Sequence, residues 1–102
     1  MKKKHDHYLK ILPEYFEVVA DGTKRFEIRK DDRGFEVGDT VFLCEWIPDD
    51  DFTGKAVKVV IKYVLRDCYE YGLRDGYCVF GWDQGYLIGP GIFGGEVIGR
   101  LL

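Results

Sequence analysis

Apolar positions along this 102-residue chain recur first at intervals of two, then at helical spacing, then at intervals of two again. His7, Leu9 and Ile11 share one face of a predicted strand, and Tyr8 and Lys10 take the other. Pro13 then opens a predicted helix over residues 13–20, because proline fits the first turn, where its missing N–H would have no partner. Leu12, Tyr15, Phe16 and Val19 follow the helical period, and Asp21 and Gly22 supply the stop. From Lys24 the period returns to two, which puts Phe26 and Ile28 on the inner face and Arg25, Glu27 and Arg29 on the outer one. Asp31 to Gly34 reads as a turn. Gly38 and Asp39 then open a strand from Thr40 to Ile47 that is apolar on both faces and so covered on both sides. Pro48 to Gly54 is a polar hairpin loop, and Lys55 to Leu65 is the longest predicted strand. In it Val57, Val59, Ile61, Tyr63 and Leu65 point inward, with Lys58 and Lys62 toward water. A further strand, Tyr77 to Trp82, follows the turn signals at Gly72 and Gly76.

The last twenty residues differ in character. Nine of the thirteen glycines lie beyond position 71, and Glu96 to Leu102 is the candidate for a final strand. Five or six short strands, one early helix and glycine-marked corners predict an α+β, mainly β fold, a small β-barrel with the helix packed at one end. The length predicts one domain over residues 1–102. Residues 1–6 are expected to be a disordered basic N-terminus and residues 83–102 a glycine-rich C-terminal extension.

Composition narrows the function classes. A formal charge of −3 and a pI near 5.3 argue against a strongly basic nucleic-acid binder, and duplex DNA is not an expected partner. A local basic site remains open, since residues 24–33 hold five Lys/Arg against three acids. No apolar run reaches the roughly 18 residues of a membrane span, and no apolar stretch follows the basic start in the manner of a signal peptide. Cys44, Cys68 and Cys78 form an odd set without a Cys-x-x-Cys pair, which reads as reduced core residues of a cytoplasmic protein. His5 and His7 lack a third ligand nearby, so no metal site is expected, and no cofactor motif is present.

The densest chemistry lies at Lys24, Glu27 and Arg29. A lysine over a cavity binds phosphate, polarises a carbonyl or, if desolvated, acts as a base; beside a turn it is equally an ordinary surface lysine. Glu27 and Arg29 share a strand face, so they serve either as a ligand clamp or as a charge ladder that holds sheet register. His7 is a candidate cleft residue, with a hydrogen-bonded structural role as the favoured reading. Tyr8, Tyr15, Trp46, Tyr63, Tyr69, Tyr71 and Trp82 offer stacking surfaces, although most of them are expected to fill the core. Trp46 and Tyr71, near predicted strand ends, are the chosen candidates for stacking on a base.

At Gly22, Lys24, Glu27 and Arg29 the chain matches the Gly-x-Lys-x-x-Glu-x-Arg signature and resembles the ASCH domains, a branch of the PUA-like β-barrels. The segments His7 to Phe16, Glu27 to Arg33 and Val37 to Asp39 extend the likeness to a subgroup of short bacterial and phage ASCH-like proteins. It covers roughly residues 7 to 82. The resemblance implies binding of single-stranded RNA, a nucleotide or a nucleoside in a cleft between helix and barrel, through Lys24, Glu27, Arg29, His7, Trp46 and Tyr71. One branch of that superfamily is an amidohydrolase acting on N4-acetylated cytidine through its signature lysine, which makes Lys24 and Glu27 the catalytic candidates of an alternative reading. That branch carries threonine where Glu27 stands and a glutamate on a later helical insertion, for which the segment from Leu65 to Tyr77 has little room. A third reading is a non-catalytic protein-interaction module, a homodimer formed through the C-terminal extension being one such arrangement.

Overall fold

The computed structural model describes residues 4–89 and the backbone of residues 97–100. Eight strands and one helix follow in the order β1 (Asp6–Ile11), α1 (Pro13–Ala20), β2 (Phe26–Lys30), β3 (Thr40–Trp46), β4 (Phe52–Val60), β5 (Tyr63–Leu65), β6 (Tyr77–Gly81), β7 (Gly85–Ile88) and β8 (Val97–Arg100), with a 3₁₀ turn at Tyr69–Tyr71. The fold is mainly β, as the alternating pattern predicts. It is built as two sheets, one ordered β1-β3-β4-β7-β8 and the other β2-β6-β5, and no closed barrel forms among the described residues. Strand β1 runs parallel to β3, and every other pairing is antiparallel.

The helix starts where the pattern places it. Leu12 is extended, Pro13 takes the first turn, and Phe16 and Val19 bury the inner face. The core joins them to Leu9 and Ile11 of β1, Val41 and Leu43 of β3, Val57 and Val59 of β4, and Phe80 of β6. Both faces of β3 are indeed covered. Inside lies the core, and outside Tyr8 stacks on Phe42 with ring centroids 4.7 Å apart. On that same outer face Lys10 Nζ sits 4.4 Å from the Trp46 ring centre.

Three expectations are corrected. The run 55–65 is two strands, because at Ile61 and Lys62 the chain leaves one sheet for the other. There the Ile61 N–H bonds Asp39 O at 2.9 Å and the Lys62 N–H bonds Gly81 O at 2.8 Å. The corner breaks the alternation, so Val64 packs toward the core while Tyr63 and Leu65 face outward. Lys58 is half-buried and Lys62 exposed. The faces of β2 are likewise inverted: Ile28 is 57% and Phe26 45% exposed, whereas Glu27 is 5% exposed. Alternation sets a strand's period without saying which face is inside. Here a carboxylate paired with two cations takes the interior. The third correction concerns the ends of the chain. The Lys4 ammonium donates to Val37 O and the His5 N–H to Asp39 Oδ1, so residues 4–6 belong to the fold. Gly85–Ile88 is a strand laid on β4. Gly85 is needed there, since a Cβ at that position would lie 2.7 Å from Val57 Cγ1. The expectations for residues 1–3, 90–96 and 101–102 lie outside the described residues.

No helix among the described residues is long and apolar enough to cross a membrane, and no group of three or more His, Cys, Asp or Glu among them is placed to hold a metal ion.

Candidate functional site

The end of α1 positions the first residue of the site. Gly22 adopts φ +85°, a left-handed conformation that costs a β-carbon-bearing residue energy. Its N–H bonds Val19 O at 3.1 Å, and the Lys24 N–H returns to Val18 O at 2.9 Å. The Thr23 N–H is taken by Asp21 Oδ1 at 2.8 Å. The helix terminus therefore fixes where the backbone of Lys24 sits before β2 begins.

From there the side chains converge. Lys24 Nζ donates to Glu27 Oε1, and Arg29 Nε donates to Glu27 Oε2 at 2.9 Å. A second guanidinium nitrogen of Arg29 donates to Lys10 O at 2.7 Å, on the free edge of β1. The ammonium of Lys24 also lies 5.6 Å from the Tyr15 ring centre and 5.2 Å from that of Phe26, close enough for a cation–π attraction. These groups border a cleft of about 490 Å³ between the β1–α1 junction and β2. It holds a buried carboxylate with a cation on each oxygen, and Tyr15 and Phe26 line it beside the aliphatic Ile11, Leu12 and Ile28. Chemically, such a cleft can accept hydrogen bonds at Glu27, meet an anion at Lys24 and Arg29, and stack a planar ring on Tyr15 or Phe26.

The remaining candidates lie elsewhere. His7 is buried, its ring 4.7 Å from that of Phe35, and its Nε2 is 2.9 Å from Asp39 Oδ2. A carboxylate only accepts, so His7 Nε2 carries the proton. Asp39 also accepts the N–H groups of His5 and Glu36. Burial works against its charge, but the hydrogen bonds from His7, His5 and Glu36 outweigh that cost and hold the Asp39 carboxyl below its ordinary value. His7 thus anchors the 36–39 turn on the inward face of β1, away from the cleft. Trp46 is engaged by Lys10 on the outer face of β3 and does not border the cleft. Tyr71 is 87% exposed on the 3₁₀ turn and does not border it either. Strand-end position was a poor guide in both cases, because each end lies on a wall the cleft does not use.

Lys10, Phe26 and Lys30, none of them a sequence-based candidate, also border the cleft, as does Tyr15, one of the aromatics that offer a stacking surface. The outward face of β1 was a readable signal for Lys10. Phe26 has no such signal, because alternation alone places it on the inner face of β2, whereas its ring is half exposed beside the cleft.

Comparison with known proteins adds two findings. The profile of a family described as a domain of unknown function (DUF3850) matches residues 6–82, which run from β1 to Trp82 and include every residue of the cleft. An uncharacterized 12.9 kDa protein in the GpA 3′ region of Escherichia phage P2 is 46% identical over 58 residues, which are 57% of this chain and 52% of the relative. The chain therefore spans about half the length of that relative.

Proposed function

Since the chain belongs to the DUF3850 family, and given the geometry of its cleft, we propose that it is a nucleotide- or single-stranded-RNA-binding module built on an ASCH-type, PUA-like barrel. One observation carries the reading. Glu27, 5% exposed, is held between Lys24 and Arg29 in a cleft that Tyr15 and Phe26 help to line. Burying a carboxylate is costly unless it is paired, and both partners here also face the cleft. The set matches what a nucleotide presents: amino groups for the carboxylate, phosphate for the cations and a π-face for the rings. The resemblance at Gly22, Lys24, Glu27 and Arg29 supports the same assignment.

The barrel part of the proposal rests on how the sheets meet. The β4–β5 corner stitches them through Ile61, Lys62 and Gly81, and the Trp82 N–H bonds Arg25 O at 3.1 Å. At the seam between β1 and β2, the side chain of Arg29 spans the gap in place of a strand ladder. Binding is favoured over hydrolysis because Glu27 is the one carboxylate among the described residues that border the cleft, and it already holds both cations. Glu70, on the connection between β5 and β6, is exposed and does not border the cleft.

The test is calorimetric titration with the four nucleoside 5′-monophosphates, together with an assay for release of acetate from N4-acetylcytidine. Lys24→Met is expected to abolish nucleotide binding and Lys24→Arg to retain most of it, because a phosphate contact needs charge rather than a removable proton. Efficient acetate release by the wild type that Lys24→Arg abolishes would replace binding by amidohydrolysis. Absence of any nucleotide binding would end the reading.

A further inference from the structure

A second cavity, of about 640 Å³, opens on the outer face of β1 and the start of β4. It shares Lys10 and Arg29 with the Lys24 cleft and adds Tyr8, Arg33 and Phe52. Three cations, Lys10, Arg29 and Arg33, face a single carboxylate, Asp51, whose Oδ1 accepts the Phe52 N–H at 2.7 Å. In a chain of net charge −3 this is a local reversal of sign. The cavity on the other side of α1 has the opposite character, with Glu14, Glu17, Asp21 and Glu45 against Lys55.

We propose that the two basic cavities are one groove, and that its ligand is a single-stranded oligonucleotide rather than a free nucleoside or mononucleotide. This rests on the nucleotide reading of the Lys24 cleft and extends it past Arg29. One nucleotide occupies the cleft on Tyr15 and Phe26. The phosphate that links it to its neighbour passes Lys10 and Arg29, and the neighbouring base lies against Phe52, with Arg33 on the next phosphate.

The two arginines are pre-organised for this. β1 is an edge strand, and its carbonyls at Tyr8 and Lys10 accept from Arg33 Nη1 at 3.2 Å and from Arg29 Nη2 at 2.7 Å. Each guanidinium is thereby pinned along the groove while donors remain from its set of five. Pinning lowers the entropy that a ligand must remove on binding. Phe52 is half exposed at the first position of β4, where its ring forms part of the groove wall. Bases stack on such rings with little regard for sequence. Five cations line the groove, Lys10, Lys24, Arg29, Lys30 and Arg33, and along this path they meet three phosphates, one at Lys24, one between Lys10 and Arg29 and one at Arg33, so the electrostatic contribution is small and countable. For a single strand the log–log slope of affinity against salt approaches about −0.7 per phosphate neutralised, or about −2 in all.

The experiment compares an RNA hexamer of randomised sequence with the four mononucleotides, using the full chain, Arg33→Gln and Phe52→Ala. Both substituted residues lie outside the Lys24 cleft. The hexamer is expected to bind at least about tenfold more tightly than any mononucleotide, with the salt slope near −2. Arg33→Gln should flatten that slope by about 0.7. Phe52→Ala should weaken hexamer binding about fivefold or more with its slope unchanged. Neither should alter mononucleotide affinity. Thermal melting checks that Arg33→Gln, which also loses a cap on Tyr8 O, remains folded, and Phe52→Ala carries the test if it does not. If mononucleotides bind in a Lys24-dependent way but the hexamer binds no tighter, or if neither substitution affects the hexamer, the groove is overturned and the cleft reading stands. If nothing binds, both fall.

Discussion

Replacing Glu27 by glutamine removes the negative charge in the cleft and leaves its shape in place. The carboxylate is 5% exposed and accepts from Lys24 and Arg29, whose side chains are 20% and 25% exposed. Hydrogen bonds to charged groups contribute about 1.5–3 kcal/mol each, so the two bonds set an upper bound of about 3–6 kcal/mol. Two effects reduce it. The amide oxygen still accepts from one cation, and both cations are open enough to water to recover part of their hydration. A net loss of about 2 kcal/mol follows, which for a domain of this size lowers the melting temperature by roughly 8–16 °C. The functional consequence is separable from the stability loss. A carboxylate accepts from the N4 amino group of cytosine, whereas an amide can also donate to the O4 of uracil. Glu27→Gln should therefore weaken cytidine monophosphate binding about fivefold or more relative to uridine monophosphate, measured calorimetrically well below the variant's melting temperature. An unchanged melting temperature would show that the buried pairing does not contribute to the fold as argued. An unchanged cytidine-to-uridine ratio would show that Glu27 does not contact the base.

Two further predictions concern the scaffold. Asp39 has a carboxyl held below its ordinary value of 3.8. The unfolded chain therefore binds more protons near that pH, and the contribution of Asp39 is present above it and lost as pH falls through the folded-state value. Asp39→Asn is expected to cost about 2–4 kcal/mol at pH 7 and to flatten the loss of stability below pH about 4. Chemical unfolding across pH 3–7 measures both, and an acid limb as steep as that of the wild type would contradict the assignment. Ile28→Ser, on the outer face of β2, should change stability by less than about 1 kcal/mol, whereas Phe80→Ala in the core should cost about 3–5 kcal/mol. Urea titration decides, and a costly Ile28→Ser would restore the opposite orientation of the strand.

Local rules went far with this chain. Pro13, the helical spacing of Phe16 and Val19, and Gly22 at φ +85° made α1 and its end legible, because caps and periods act within a few residues. Most strands were legible for the same reason. The likeness at Gly22, Lys24, Glu27 and Arg29 marked the three side chains that meet in the cleft. Other features depend on residues distant in the chain. Whether Glu27 or Ile28 faces inward depends on what lies across from β2, including an arginine reaching to Lys10 O, 19 positions back. The break at Ile61 depends on hydrogen bonds to Asp39 and Gly81. Hydropathy read that segment as continuous, since both halves are equally apolar.

What the sequence alone determined was therefore the mainly β composition, the helix and the turn at Gly22, set by short-range sterics and hydrogen bonding, while the identity of the charged triad came from the resemblance at Gly22, Lys24, Glu27 and Arg29. The tertiary structure decided which face of β2 is buried, where the long apolar run changes sheets, and that Gly85–Ile88 extends the main sheet beyond β4. It also decided that Lys10, Tyr15 and Phe26, rather than Trp46, Tyr71 or His7, surround Lys24. The physical reason is that burial of a charged group is settled by its partners. Those of Glu27 become visible only once β1, α1 and β2 have been brought together.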